Sequence, residues 1–141
     1  MRPLTSVEKD LVRWFADRVD ESRGRHLLTD LEHATADDDD FPIVQFHVAG
    51  YTRPADTLER PVPVNAVVED ADGATVLLEL SEDDNARLYK LEMHRCERGD
   101  LIGPDWTTLR QLGPGEVTNL GVTDLRRARI CRWPENTKDG D

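Results

Sequence analysis

Apolar residues near the N-terminus recur at helical spacing. Val7, Leu11, Trp14 and Phe15 form one stripe, flanked by Val12 and Val19. Thr5-Ser6-Val7-Glu8 introduces that stripe as a capping box, in which Thr5 accepts from the Glu8 N–H and the Glu8 side chain reaches back. Together they predict a helix over about residues 6–19. Ser22 and Gly24 interrupt the pattern, and Leu27, Leu28, Leu31 and Ala34 form a shorter stripe that predicts a second helix over about residues 24–34. Asp37, Asp38, Asp39 and Asp40 then favour a loop, because adjacent negative charges at a helix C-terminus oppose its macrodipole. After Pro42 the period changes to two. Val44, Phe46 and Val48 share one face of a strand, and Ile43, Gln45 and His47 take the other.

The stretch around Asp70-Ala71-Asp72-Gly73 lies between two apolar runs, and its register can be tested. A three-residue loop, Ala71-Asp72-Gly73 with Gly73 left-handed, sets Val68 against Val76, Ala66 against Leu78 and Val64 against Leu80, all apolar and on one face. A two-residue loop would oppose Ala66 to Glu79 and Val64 to Ser81, and a slip of one residue flips every side chain. The three-residue loop is therefore expected. For the next turn, Asp84-Asn85 suits a two-residue loop, which sets Leu80 against Tyr89, Leu78 against Leu91, Val76 against Met93 and Glu79 against Lys90. Residues 62–96 thus read as a three-stranded meander, with the 43–48 strand at its edge.

Beyond this the pattern weakens. Asp105 is a candidate cap for a short turn around Trp106 to Leu109. "VTDLRRARICRW" fits neither period cleanly, and "PENTKDGD" reads as a disordered tail.

Charge alters the picture more than length does. The net charge is −11, and residues 35–105, with 6 basic and 17 acidic residues, carry that whole excess. This argues against nucleic acid or an anionic membrane as the main partner, since phosphate contacts need clustered Lys and Arg, and it suits a basic protein. No apolar run approaches the roughly 18 residues of a membrane span, and the N-terminal residues lack a secretory apolar segment, so a cytoplasmic protein is expected. Cys96 and Cys131 form no metal or redox motif and read as unpaired thiols.

Candidate chemistry is sparse. D-x-D-G begins many calcium loops, but the liganding Glu of such a loop falls on Ser81 or Asp83, and Val76, Leu78 and Leu80 are needed in the core. His26, His33, His47 and His94 lack zinc spacing. Cys131, between Arg129 and Arg132, has no partner spacing for a triad, and no phosphate-binding or nucleophile-elbow motif is present. No catalytic residue, metal site or cofactor is expected. The outer sheet face carries Val67, Leu77 and Leu88 among polar residues and offers a surface for docking or homodimerisation.

Four segments, "RPLTSVEKDLVRWF", "LLTDLEHA", "RPVPVNAVVEDADGATVLLEL" and "RLYKLEMHRCERGDLIG", resemble a family of small bacterial α+β domains of unknown function over about residues 2–104. Lys90 stands where many members carry Glu. The resemblance implies no catalytic residue. In size and acidity such domains are similar to immunity proteins of bacterial toxin systems.

The expectation is a single α+β domain over residues 1–133. Two N-terminal helices pack on one face of a three- to four-stranded antiparallel meander, with an acidic loop at 34–41, a C-terminal extension at 105–133 and a tail at 134–141. The expected role is a non-enzymatic, immunity-type binder of a basic toxin. Its partner-binding residues would be Asp37, Asp38, Asp39, Asp40, Asp70, Asp72 and Asp100, gathered at one end of the sheet.

Overall fold

The structure, a computed structural model, describes residues 1–112. The expectations for "VTDLRRARICRW" and the tail lie outside these residues. The elements, in chain order, are β1 (Arg2–Pro3), α1 (Ser6–Ala16), α2 (Glu21–Leu31), β2 (Ala34–Asp37), β3 (Ile43–Val48), β4 (Arg60–Pro61), β5 (Ala66–Glu69), β6 (Thr75–Glu82), β7 (Leu88–Arg95) and β8 (Asp105–Gln111). The strands form one eight-stranded antiparallel sheet in the order β1-β2-β3-β7-β6-β5-β8, with β4 also on β6. This overturns the expected small meander covered by two helices: among the described residues the fold is mostly sheet, with two short helices. The additional strands carry little pattern of their own. β1 and β4 have two residues each, and Ala34–Asp37 is a strand because it pairs with β3, not through intrinsic propensity.

The chain divides into two compact units, Met1–Val64 with Glu79–Glu92, and Asn65–Leu78 with the described residues from Met93 onward. In the first unit, the Thr5 capping box forms as expected, with Glu8 N donating to Thr5 Oγ1 at 3.1 Å and Thr5 N to Glu8 Oε1 at 2.9 Å. Asp20 caps α2 through the Arg23 N–H at 2.9 Å, so this helix starts earlier than the apolar stripe suggests and holds Gly24 inside it. A Cβ at Gly24 would lie 2.6 Å from the carbonyl oxygen of Ala16, so the glycine is where α2 meets the end of α1. Leu11, Val12, Phe15, Leu27, Val44 and Phe46 are buried, in keeping with the two periods.

The β6–β7 turn departs from expectation. Asp83 N donates to the Arg87 carbonyl at 2.9 Å and Ala86 N to the Asp83 carbonyl at 3.0 Å, with Ala86 at φ 60°. The loop is therefore three residues, Asp84-Asn85-Ala86, not two. Along β7, Leu88, Leu91 and Met93 are buried. Lys90 pairs with Glu59 at 3.8 Å.

In the second unit the β5–β6 register matches the sequence reading. Ala66 faces Leu78, Val68 faces Val76 and Gly73 is left-handed at φ 86°. β8 pairs with β5, but its register shifts between Val67↔Arg110 and Glu69↔Asp105. The excess residues, Trp106 to Leu109, are the stretch expected as a turn. They form the irregular part of a strand, where Thr108 Oγ1 accepts from Glu69 N at 2.8 Å and replaces a ladder bond. Val67, Leu77 and Leu112 form a buried apolar cluster. Cys96 is disulfide-bonded, which corrects the reading of two unpaired thiols; Cys131 lies outside the described residues.

Candidate functional site

The seven aspartates proposed from sequence meet different fates. In the second unit, Asp70 is 2% exposed and points inward. Arg95 Nη1 donates to its Oδ2 at 2.6 Å, and the backbone N–H groups of Ala71, Ile102 and Gly103 donate to the same carboxylate at 2.9, 3.0 and 2.7 Å. Burial alone would push the Asp70 carboxyl up, but the Gly103, Ile102 and Ala71 N–H groups with Arg95 outweigh it and hold it down at about 2. Asp72 takes the other side of the same guanidinium, at 2.8 and 2.6 Å, and Arg95 holds its carboxyl well below the usual carboxylate range. This pair is a charge-assisted clamp on the segment that follows β7. The guanidinium stands where a cation between the two carboxylates would have to sit. Asp100, in that same segment, is exposed and has no ion pair among the described residues.

In the first unit, Asp37 ends β2 and Asp38, Asp39 and Asp40 form an exposed turn leading into β3. The turn is held by Phe41 N to the Asp38 carbonyl at 3.0 Å, Ile43 N to the Asp40 carbonyl at 2.9 Å, and Asp39 N to Asp37 Oδ1 at 2.9 Å. Arg2 bridges it to α1. Its guanidinium donates to Glu8 at 2.8 and 2.7 Å and to Asp38 at 3.0 Å. Burial pushes the Glu8 carboxyl up, but Arg2 and the Thr5 donors pull it below its ordinary value. Asp39 and Asp40 have no ion pair among the described residues, and beside them Phe41 is 55% exposed.

A second set of charged side chains, in the same unit, was not anticipated. Asp83, with no exposed surface, accepts at Oδ2 from the Tyr51 hydroxyl at 2.5 Å and Arg53 Nε at 3.1 Å. Its Oδ1 accepts from the N–H groups of Asn85 and Arg87 at 2.9 and 3.0 Å. Burial pushes Asp83 up, but these donors hold it below the usual range, and burial together with Asp83 pushes the Tyr51 hydroxyl up. The Arg87 guanidinium stacks over the Tyr51 ring at 4.2 Å and donates to Asp30, whose Oδ2 also accepts from Leu88 N at 3.0 Å. Glu82, 2% exposed, is held by Arg23 at 3.2 Å through one oxygen.

The signal for these inward acids was present in the strand alternation. Asp70 continues the inward positions Val64, Ala66 and Val68, and Glu82 continues Val76, Leu78 and Leu80. A carboxylate at a core-facing position has to be paired inside the chain.

Among the described residues no three or more His, Cys, Asp or Glu side chains come together in a way that would hold a metal ion. His47 lies on β3 and His94 on β7. Val67, Leu77 and Leu88, expected on an outer docking face, are all buried. No helix among the described residues is long and apolar enough to cross a membrane.

Comparison with known families matches residues 1–104 to a domain of unknown function, DUF6984, and the chain belongs to that family. No curated protein and no solved structure matches it.

Proposed function

We propose that this chain is a non-enzymatic, cytoplasmic, immunity-type protein that binds and neutralises a basic toxin through exposed carboxylates. The observation that supports this reading most is the turn of Asp38, Asp39 and Asp40, which presents charge beside the exposed ring of Phe41. Asp39 and Asp40 are not neutralised by a neighbouring cation among the described residues, so their field is available to steer a cationic partner. An aromatic side chain next to charge is the usual make-up of an interface anchor and its rim. Asp100 adds a further exposed carboxylate, in the second unit. Asp70 takes no part at the surface, because its charge is used internally, and Asp72 contributes only what Arg95 leaves.

The test is the association rate with a cationic toxin domain from a neighbouring gene, and the absence of any such gene contradicts the reading. Reversing Asp39, Asp40 and Asp100 to Lys should slow association at low salt by about tenfold or more and flatten its salt dependence. An unchanged rate at low salt contradicts the reading. Light scattering on the same variants distinguishes a homodimer, which these changes would leave intact.

A further inference from the structure

α2 is tied to the β6–β7 hairpin by two ion pairs of opposite polarity, and the two are not equally satisfied. Asp30, on α2, accepts from Arg87 Nε and Nη2 and from Leu88 N, so both of its oxygens are used. Glu82, at the end of β6, meets Arg23 of α2 only through Oε1 at 3.2 Å. Its Oε2 is buried without a hydrogen-bond partner among the described residues, while the Arg23 side chain is 37% exposed at the surface. A buried carboxylate with one oxygen unpaired is costly in its charged form.

We propose that Glu82 and Arg23 form a proton-operated latch between α2 and β6: uptake of one proton by the Glu82 carboxylate releases Arg23 to solvent, while the Asp30–Arg87 pair keeps the helix in place. The proton comes from solvent and neutralises Glu82; no other bond changes. Among the described residues the charged groups facing Glu82 are Arg23 and His26 from α2, its cap Asp20, and Arg60 from β4, the last of which also pairs with Asp84 at 3.2 Å. Burial pushes the Glu82 carboxyl above its ordinary value, and the three basic neighbours only partly oppose this. The folded chain therefore holds this proton at a pH where the unfolded chain has already lost it. Its contribution favours the fold as pH falls, and is lost as pH rises through the folded value.

Carbon-detected NMR of the whole chain across pH 3 to 8 tests this. The Glu82 carboxyl signal should titrate above the ordinary glutamate range of about 4.3, and the Arg23 Nε signal should move with the same midpoint. Arg23→Gln, at a partly exposed position, should raise the Glu82 midpoint further, because a basic neighbour is removed. Glu82→Gln should abolish the Arg23 transition, and His26→Gln should leave it in place. If Glu82→Gln does not fold, the Arg23→Gln shift decides the matter. The latch is overturned by a Glu82 midpoint in the ordinary range or by one that Arg23→Gln leaves unmoved. It is equally overturned by an Arg23 transition that survives in Glu82→Gln or vanishes in His26→Gln.

Discussion

The turns Asp70–Ala74 and Asp83–Arg87 are built on one plan. Each is a three-residue loop entered by a buried aspartate whose N–H donates across the turn, to Ala74 in one and Arg87 in the other, at 2.8 and 2.9 Å. Each places its last loop residue in the left-handed region, Gly73 at φ 86° and Ala86 at φ 60°. In each, the aspartate accepts from an arginine and from backbone N–H groups. They differ in two ways. The left-handed residue is glycine in the first and alanine in the second. Arg95 has a second carboxylate, Asp72, to hold, whereas Arg53 otherwise donates to the carbonyls of Phe46 and Leu88 and lies over the Tyr89 ring at 4.2 Å. The lesson is that an aspartate on the core side can specify a turn whose loop sequence does not announce it.

The largest expected effect comes from removing the anchors. Asp83→Ala leaves Arg53, the Tyr51 hydroxyl and two backbone N–H groups without their acceptor and should cost about 3–5 kcal/mol of stability in urea unfolding. Asp70→Ala should cost less, because Arg95 keeps Asp72. A larger loss at Asp70 would break the ranking. Exchanging the left-handed residues comes next. Gly73→Ala should destabilise by about 1 kcal/mol and Ala86→Gly should stabilise by up to about 1 kcal/mol, since an L side chain at positive φ costs about 1–2 kcal/mol and glycine returns part of that as unfolded-state entropy. Equal signs would show that the two loops do not share a backbone. The smallest effect is in acid. The Asp70 carboxyl is held down at about 2, so its contribution is complete above the unfolded value and lost as pH falls toward 2. The stability gap between the native chain and Asp70→Asn should accordingly close over that range, and a gap that instead widens contradicts the sign.

The same comparison shows how much of the molecule was legible. The β5–β6 register could be read because Gly73 marks the left-handed position and three apolar pairs fix the face. The β6–β7 loop was read one residue too short because Asp84-Asn85 is itself an acceptable two-residue turn, and nothing in Ala86 signals positive φ. β2 was hidden because Ala34–Asp37 has neither period and becomes a strand only by pairing with β3. β8 was partly visible: Asp105 does organise a turn, accepting from Thr107 N at 3.1 Å, but that turn is an irregularity within a strand. Of the candidate site, the exposed turn at Asp38–Asp40 was legible as a charge run, and Asp70 was misplaced. Its acidity was counted as surface charge although strand alternation had already turned it inward.

That division between inward and exposed aspartates decides which carboxylates remain for the basic partner proposed above. It is tested most directly by following the Asp70 carboxyl carbon by NMR as pH is lowered. Asp70 should stay ionised until about pH 2. Titration near 3.9, the ordinary aspartate value of about 3.9, would contradict it and return Asp70 to the surface.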